Sequence, residues 1–340
     1  MKALILTEGS KGIGFGHITR CTALLQAFLE RDINPLFVVN GDNTVDDLIQ
    51  TENYYRLNWL RNPELLFNLV KDTDVVVVDS YFATLDFYNK IYSTVQLLVH
   101  FDDFLRIEYP AGIVINGAVF AEELPYKDKR NILYLLGSKY VSIRKEFWHV
   151  SQRETKGNIE NILLTFGGED AKNITPLVLK QLTEKYPEVI KTVIIGKGYT
   201  NIDEINYLKD KNTNLVFYPS AMELRDHMLN SDLTFCAGGQ TLNELARTGS
   251  PTFVISVAEN QRNNINGWEK LGFIKYLGNY NDADLKGKII NTCAMFDNFS
   301  WRKKSCDTGQ KSIDGQGCFR IVDEIIKNLH SPNLKVHYGI

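Results

Sequence analysis

His17 and Arg20 stand three residues apart in Ile13-Gly14-Phe15-Gly16-His17-Ile18-Thr19-Arg20-Cys21. On a helix that spacing puts both side chains on one side. An imidazole can exchange a proton near neutral pH, and a guanidinium can hold an anion. The loop ahead of them carries Gly12, Gly14 and Gly16, so backbone can approach a ligand closely there. A helix start adds unpaired N–H groups and a positive dipole end, which together make an anion site. The same dipole favours a neutral, proton-accepting ring. The expected chemistry is general-base catalysis by His17 beside a bound anion such as phosphate. The plainer alternative is a tight glycine turn with His17 capping the helix.

Two more glycine pairs have similar surroundings. Gly167-Gly168-Glu169-Asp170 and Gly238-Gly239-Gln240-Thr241 each follow an apolar run and precede a helical pattern. Gly238, Gly239, Gln240 and Thr241 suit a phosphate at a helix start. Glu244, near the end of the first turn, can accept hydrogen bonds from a ribose diol; its plainer role is to complement the helix dipole. Asn260 and Gln261, just after an apolar run, can offer amides to a sugar, with helix capping by Asn260 as the alternative. Asp79, Asp102 and Asp103 also follow buried runs. They can orient a substrate, act as a second base or hold a cation, although caps and turns are the commoner use of such positions. His100 lies within its run and reads as a core residue. His149, His227, His330 and His337 have no partner that the sequence identifies.

The elements that must position these groups alternate. Apolar runs at Ala3–Leu6, Leu36–Val39, Val75–Val78, Leu97–Phe101, Ile113–Ile115 and Ile132–Leu136 are separated by helical stretches. Ile18, Cys21, Leu25, Phe28 and Leu29 recur at helical spacing. The four valines read as a central parallel strand buried on both faces. The pattern restarts at Ile162–Phe166 and continues through Thr192–Ile195, Leu215–Tyr218, Leu233–Cys236 and Thr252–Ile255. Strands alternating with helices imply right-handed βαβ units. The charged stretch 142–158 marks a boundary. The expectation is α/β: a Rossmann-like domain over 1–150, a second, nucleotide-binding one over 151–330, and a tail at 331–340. Their parallel sheets would face across a cleft, with ligands beyond the carboxyl ends of the strands. The polar stretch 279–311 resists assignment, and a last helix is expected over 317–329.

Bulk properties narrow the function. The chain has 340 residues, 44% hydrophobic and 23% charged, with net charge -3. The absence of a basic run argues against nucleic acid as a partner. No apolar stretch approaches the ~20 residues of a bilayer span, and no secretory leader is visible. Five dispersed cysteines, Cys21, Cys236, Cys293, Cys306 and Cys318, fit a reducing cytoplasm and offer no metal cluster. Oligomeric state stays open. Gly12-x-Gly14-x-Gly16 approaches a dinucleotide fingerprint, with Asp42 as an acidic ribose partner, but its third-glycine spacing differs. A nicotinamide enzyme is therefore the weaker reading.

Several segments together resemble a known family. Ile-Gly-x-Gly-His-x-x-Arg-Cys at 13–21, Val-Asp-Ser-Tyr at 78–81, Phe-Asp-Asp at 101–103 and Ile-Asn-Gly at 115–117 are similar to blocks of the nucleotide-sugar hydrolases of pseudaminic acid biosynthesis and the related spore-coat polysaccharide proteins. So are Leu136–Tyr140 with Ile143–Phe147, Thr165–Asp170 with Asn173, Gly238-Gly239 with Glu244, Gly249-x-Pro251, Asn260-Gln261 and Asp314-Gly315-x-Gly317. The chain departs from that family at Gln240, where a small residue is usual. The resemblance implies a two-domain GT-B-like fold with the nucleotide in the C-terminal domain. It implies His17 as catalytic base, Glu244 and the Gly238-Gly239 loop as nucleotide ligands, and Asn260 as a substrate ligand. The implied reaction is inverting hydrolysis of a UDP-linked amino or deoxy sugar, without metal or cofactor. A glycosyltransferase and a non-catalytic nucleotide-sugar binder are the alternatives.

Overall fold

The computed structural model describes residues 1–10, 14–49, 51–292, 295–296 and 298–329. Gly12, Ile13, Cys293, His330, His337 and the tail at 331–340 lie outside the described residues.

The chain forms two compact units. In the first, strands β1 (Ala3–Gly9), β2 (Leu36–Gly41), β3 (Tyr54–Arg56), β4 (Val75–Val78), β5 (Leu97–Phe101), β6 (Gly112–Asn116) and β7 (Ile132–Leu136) make one sheet. Its order is β3-β2-β1-β4-β5-β6-β7, and every pairing is parallel. Helices α1 (Gly16–Leu29), α2 (Pro63–Val70) and α3 (Leu85–Tyr92) supply the crossovers after β1, β3 and β4. Each of Val75, Val76, Val77 and Val78 is fully buried, as a β-branched strand covered on both faces should be. A core of Leu4, Leu6, Val38, Trp59, Val76 and Val78 backs the centre of the sheet.

The second unit has strands β8 (Asn161–Thr165), β9 (Ile190–Ile195), β10 (Thr213–Phe217), β11 (Leu233–Ala237), β12 (Thr252–Ser256) and β13 (Ile274–Asn279). They pair in the order β10-β9-β8-β11-β12-β13, again all parallel. Its helices are α4 (Ile174–Lys185), α5 (Ile202–Leu208), α6 (Ala221–Asn230), α7 (Thr241–Thr248), α8 (Arg262–Leu271), α9 (Leu285–Thr292) and α10 (Phe299–Ser312). In both sheets the first strand is central, and the order runs outward from it in two directions. The switch points therefore lie between β1 and β4 and between β8 and β11, where α/β sheets open a crevice for ligands.

Three features differ from expectation. The units divide after Lys145 and again after Asp314, so helix α11 (Gly317–Asn328) belongs to the first unit and not to a domain over 151–330. Its buried face, Cys318, Ile321, Val322 and Ile325, is apolar at helical spacing and needs a hydrophobic partner. Within the first unit Arg31 donates from Nε and Nη2 to both Asp323 oxygens at 2.9 and 3.1 Å, and Arg320 donates to the Lys139 carbonyl at 2.9 Å. Strands β3 and β13 had no apolar run to announce them. β3 has three residues at an edge, and β13 interleaves Lys275, Tyr276 and Gly278 where its register with β12 shifts. The unassigned stretch 279–311 holds α9 and most of α10.

Candidate functional site

Five side chains converge at the first switch point: His17, Arg20, Tyr81, Asp79 and Asp103. His17 and Arg20 project from the first turns of α1, which follows β1, while Asp79 lies one residue beyond β4. Parallel pairing of Leu6 with Val78 brings those two strand ends side by side. His17 Nδ1 lies 2.7 Å from Asp79 Oδ1. Arg20 donates from Nη2 to the same oxygen and from Nε to Oδ2, each at 2.6 Å. Its outer edge donates to Asp103 at 2.5 and 3.1 Å, and its guanidinium lies over the Phe101 ring. Tyr81 donates its hydroxyl to Asp103 Oδ2 at 2.6 Å and sets its ring edge against the imidazole, with centroids 4.3 Å apart.

This geometry selects one histidine tautomer. Arg20 Nη2 is 3.2 Å from Nδ1 and could donate to it. Asp79 would then face an imidazole lone pair at 2.7 Å, two acceptors in contact. Placing the proton on Nδ1 makes a charge-assisted bond to Asp79 instead, and leaves Nε2 as the acceptor. No described residue bonds Nε2, and the side chain is 6% exposed. A carboxylate that fixes a histidine in this way prepares it as a base. Burial by itself would raise Asp79, but the facing Arg20 and His17 hold it well below the usual carboxylate range. Burial likewise pushes Asp103 up, and Arg20 overturns that and lowers it. Burial, reinforced by Asp103, pushes the Tyr81 phenol far up, so Tyr81 keeps the proton it donates to Asp103.

The other residues singled out in the first unit separate. Gly14 sits at φ 85°, a conformation that glycine adopts without strain, and its N–H bonds the Ser10 carbonyl at 3.0 Å. A side chain at Gly16, the first residue of α1, would meet only open space. Asp102 does not join its neighbour Asp103. It accepts the backbone N–H groups of Leu105 and Arg106 and the hydroxyls of Tyr109 and Tyr126, a turn-capping role. His100 is a core residue as expected, but only half satisfied: Nε2 bonds the Ala111 carbonyl at 2.8 Å, and Nδ1 has no partner among the described residues. Burial pushes it down to about 3.

In the second unit the glycine loops follow β8 and β11, the two strands that flank the switch point. Gly167 has φ 80°, and the Gly168 carbonyl accepts the Gly198 N–H at 2.9 Å. Asp170 caps α4, its two oxygens accepting the N–H groups of Ile174 and Thr175 at 2.9 Å each. Gly238 must be glycine, because a Cβ there would lie 2.5 Å from the Ile265 side chain. Gln261, expected to face a substrate, turns its carbonyl inward: Oε1 accepts the N–H groups of Gly238 and Val257 at 3.2 and 3.0 Å. Only its amide nitrogen remains for a ligand. Asn264, not anticipated, stands one helical turn on and donates to the Gly238 carbonyl at 2.9 Å. The spacing Gln261-x-x-Asn264 was the available signal. Gln240 precedes α7 and accepts from Asn243 at 3.2 Å, Thr241 is the first residue of the helix, and Glu244 in its first turn is 3% exposed. Asn260 is exposed in a short 3₁₀ turn. Nearby, a cavity of about 270 Å³ is lined by Ser256, Glu259, Arg262, Ile265, Tyr276 and Asn279.

Among the described residues no group of histidines, cysteines and carboxylates is arranged to hold a metal ion, and no helix is long and apolar enough to cross a membrane.

No family model matches the chain. Solved structures share its architecture. It is similar to Staphylococcus aureus MnaA, solved with UDP, at TM-score 0.69 and 13% identity over 98% of both chains. It is similar to Acinetobacter baumannii MurG at TM-score 0.67 and 14% identity, covering 96% of this chain and all of that one. The fold is of the GT-B type. In sequence the chain is 28% identical over 275 residues to an uncharacterized protein of Methanocaldococcus jannaschii. It is 22% identical over 282 residues to a Helicobacter pylori protein named pseudaminic acid cytidylyltransferase and UDP-2,4-diacetamido-2,4,6-trideoxy-beta-L-altropyranose hydrolase. It is 20% identical over 285 residues to the Campylobacter jejuni protein named for that hydrolase alone. These matches cover 77%, 81% and 80% of this chain. They span only 57% and 48% of the first two relatives, and 98% of the third.

Proposed function

We propose that this chain is a nucleotide-sugar enzyme that hydrolyses a UDP-linked amino or deoxy sugar to the free sugar and UDP. The product would serve synthesis of a pseudaminic-type acid or a surface polysaccharide. The observation that carries this reading is the His17–Asp79 pair, with Nδ1 committed at 2.7 Å and Nε2 bonded by none of the described residues. In this scheme Nε2 takes a proton from water as the water oxygen bonds to the anomeric carbon. The bond from that carbon to the diphosphate oxygen breaks on the opposite face, so configuration inverts. A diphosphate leaves as a stable anion, and the second carboxyl group of ordinary glycosidases is not needed. The scheme also uses no metal or cofactor.

The second unit would hold the nucleotide. The N–H groups at Gly167-Gly168 and at Gly238-Gly239-Gln240-Thr241 would stabilise charge on the departing diphosphate. Glu244 would take the ribose, and Asn260 and the amide nitrogen of Gln261 the sugar. The UDP in the MnaA structure and the hydrolase names of the Helicobacter and Campylobacter relatives support the choice of ligand.

The test is incubation with a panel of UDP- and CMP-linked amino sugars and no acceptor, followed by mass spectrometry. Free sugar and nucleotide in equal amounts support hydrolysis. Donor consumed only when a hydroxyl acceptor is added would mark a glycosyltransferase, and UDP binding without turnover of any donor would mark a binding protein.

A further inference from the structure

Glu8 is a buried charge that the scheme above leaves unused. It lies near the end of β1 and is wholly inaccessible to solvent. Its two oxygens take two donors, the Ser80 hydroxyl at 2.8 Å and the Tyr81 backbone N–H at 2.6 Å. Ser80 Oγ in turn accepts the N–H groups of Phe82 and Ala83, each at 3.0 Å. One carboxylate thereby organises donors from four consecutive residues, 80 to 83. That turn starts at Asp79, whose own N–H is bound to the Leu6 carbonyl at 2.9 Å. It contains Tyr81, whose ring abuts His17. The two groups that fix the imidazole thus hang from a turn that Glu8 pins from behind. Burying a carboxylate is costly unless its bonds repay it. Burial raises Glu8, and the bonds from Ser80 and Tyr81 oppose that rise.

We propose that Glu8 is a positioning residue for His17: it locks the turn Asp79–Ala83 so that Asp79 meets Nδ1 and the ring presents Nε2. Its catalytic consequence rests on the reading of His17 as base, while the positioning itself operates without substrate.

The chemistry of the turn makes glutamine an informative replacement. Both Ser80 lone pairs are already taken by backbone N–H groups, so the hydroxyl must donate. An amide –NH₂ facing it offers no acceptor, and the flipped amide loses the Tyr81 bond instead. Glu8→Gln therefore keeps the volume and breaks one of the two bonds; Glu8→Ala breaks both.

The experiment reads the His17 tautomer from long-range ¹H–¹⁵N spectra of ¹⁵N-histidine-labelled protein, with the His17→Asn spectrum identifying its signal among the six histidines. Wild type should show a single Nδ1–H form. Glu8→Gln and Glu8→Ala should show both tautomers, and Glu8→Asp should recover part of the single form. If Glu8→Ala fails to fold, Glu8→Gln decides. A folded Glu8→Gln with the wild-type tautomer overturns the proposal, and so does a wild type with its proton on Nε2. Since no substrate is involved, failure of the hydrolase assay leaves this result standing. Where hydrolysis is observed, Glu8→Gln should lose turnover while KM holds.

Discussion

Replacing Asp79 by asparagine tests the site through its hydrogen-bond inventory. The carboxylate accepts from His17 Nδ1 and Arg20 Nη2 at Oδ1, and from Arg20 Nε and Cys21 Sγ at Oδ2. Every neighbour is a donor, and asparagine must put –NH₂ in one of the two places. In the Oδ1 place it can donate to His17 Nδ1 only by driving the proton to Nε2, which removes the base, and it still faces Arg20 Nη2. In the Oδ2 place it leaves the tautomer intact but meets Arg20 Nε and Cys21. Either way a buried guanidinium donor loses its partner, and Arg20 keeps only Asp103 as a counter-charge. Leaving one such donor unsatisfied costs about 1–3 kcal/mol, and breaking a buried ion pair reaches about 3–5 kcal/mol. The expected loss of stability is therefore about 2–4 kcal/mol. With the amide in the Oδ1 place, turnover should also fall by roughly 10²–10⁴, the share of a positioned base. Urea unfolding and sugar release measure the two effects. An Asp79→Asn protein with wild-type stability and wild-type turnover would refute both the pairing and the role given to it.

Three further outcomes follow from the same geometry. His17→Asn keeps a hydrogen-bonding side chain for Asp79 but cannot take a proton from water, so sugar release should fall by roughly 10²–10⁴ while the melting temperature and UDP affinity hold; full activity would end the assignment. Glu244→Ala should weaken UDP binding by about 1–3 kcal/mol, the worth of a charged hydrogen-bond partner, and calorimetry with unchanged affinity would remove Glu244 from the site. His100 concerns the fold. Its folded value, about 3, lies below that of the unfolded chain, so the unfolded chain takes the proton first and stability is lost as pH falls through about 6.5. Between pH 7 and pH 5 that loss is about 2 kcal/mol, and His100→Asn should flatten the unfolding free energy over this range by the same amount.

The parallel sheets and the glycine loops after β1, β8 and β11 were legible in the linear chain. Four buried valines and apolar runs separated by helical spacing can form little else, and a glycine loop between a strand and a helix start is set by neighbours along the chain. His17 and Arg20 were legible for the same reason, being one turn apart on one helix. Their carboxylates were not: Asp79, Asp102 and Asp103 all follow strands and look alike in sequence. Only strand order, with β4 beside β1, brings Asp79 to the imidazole, and only the local turn sends Asp102 to cap backbone while its neighbour Asp103 meets Arg20. Glu8 had no sequence signal, since its importance comes from burial and from the turn beyond β4 that it faces. The inward Gln261 carbonyl and the return of α11 to the first unit belong to the same class. Periodicity and local hydrogen bonding are properties of neighbours along the chain. Which charge meets which, and which carboxylate is denied water, depends on residues that only the tertiary packing brings together.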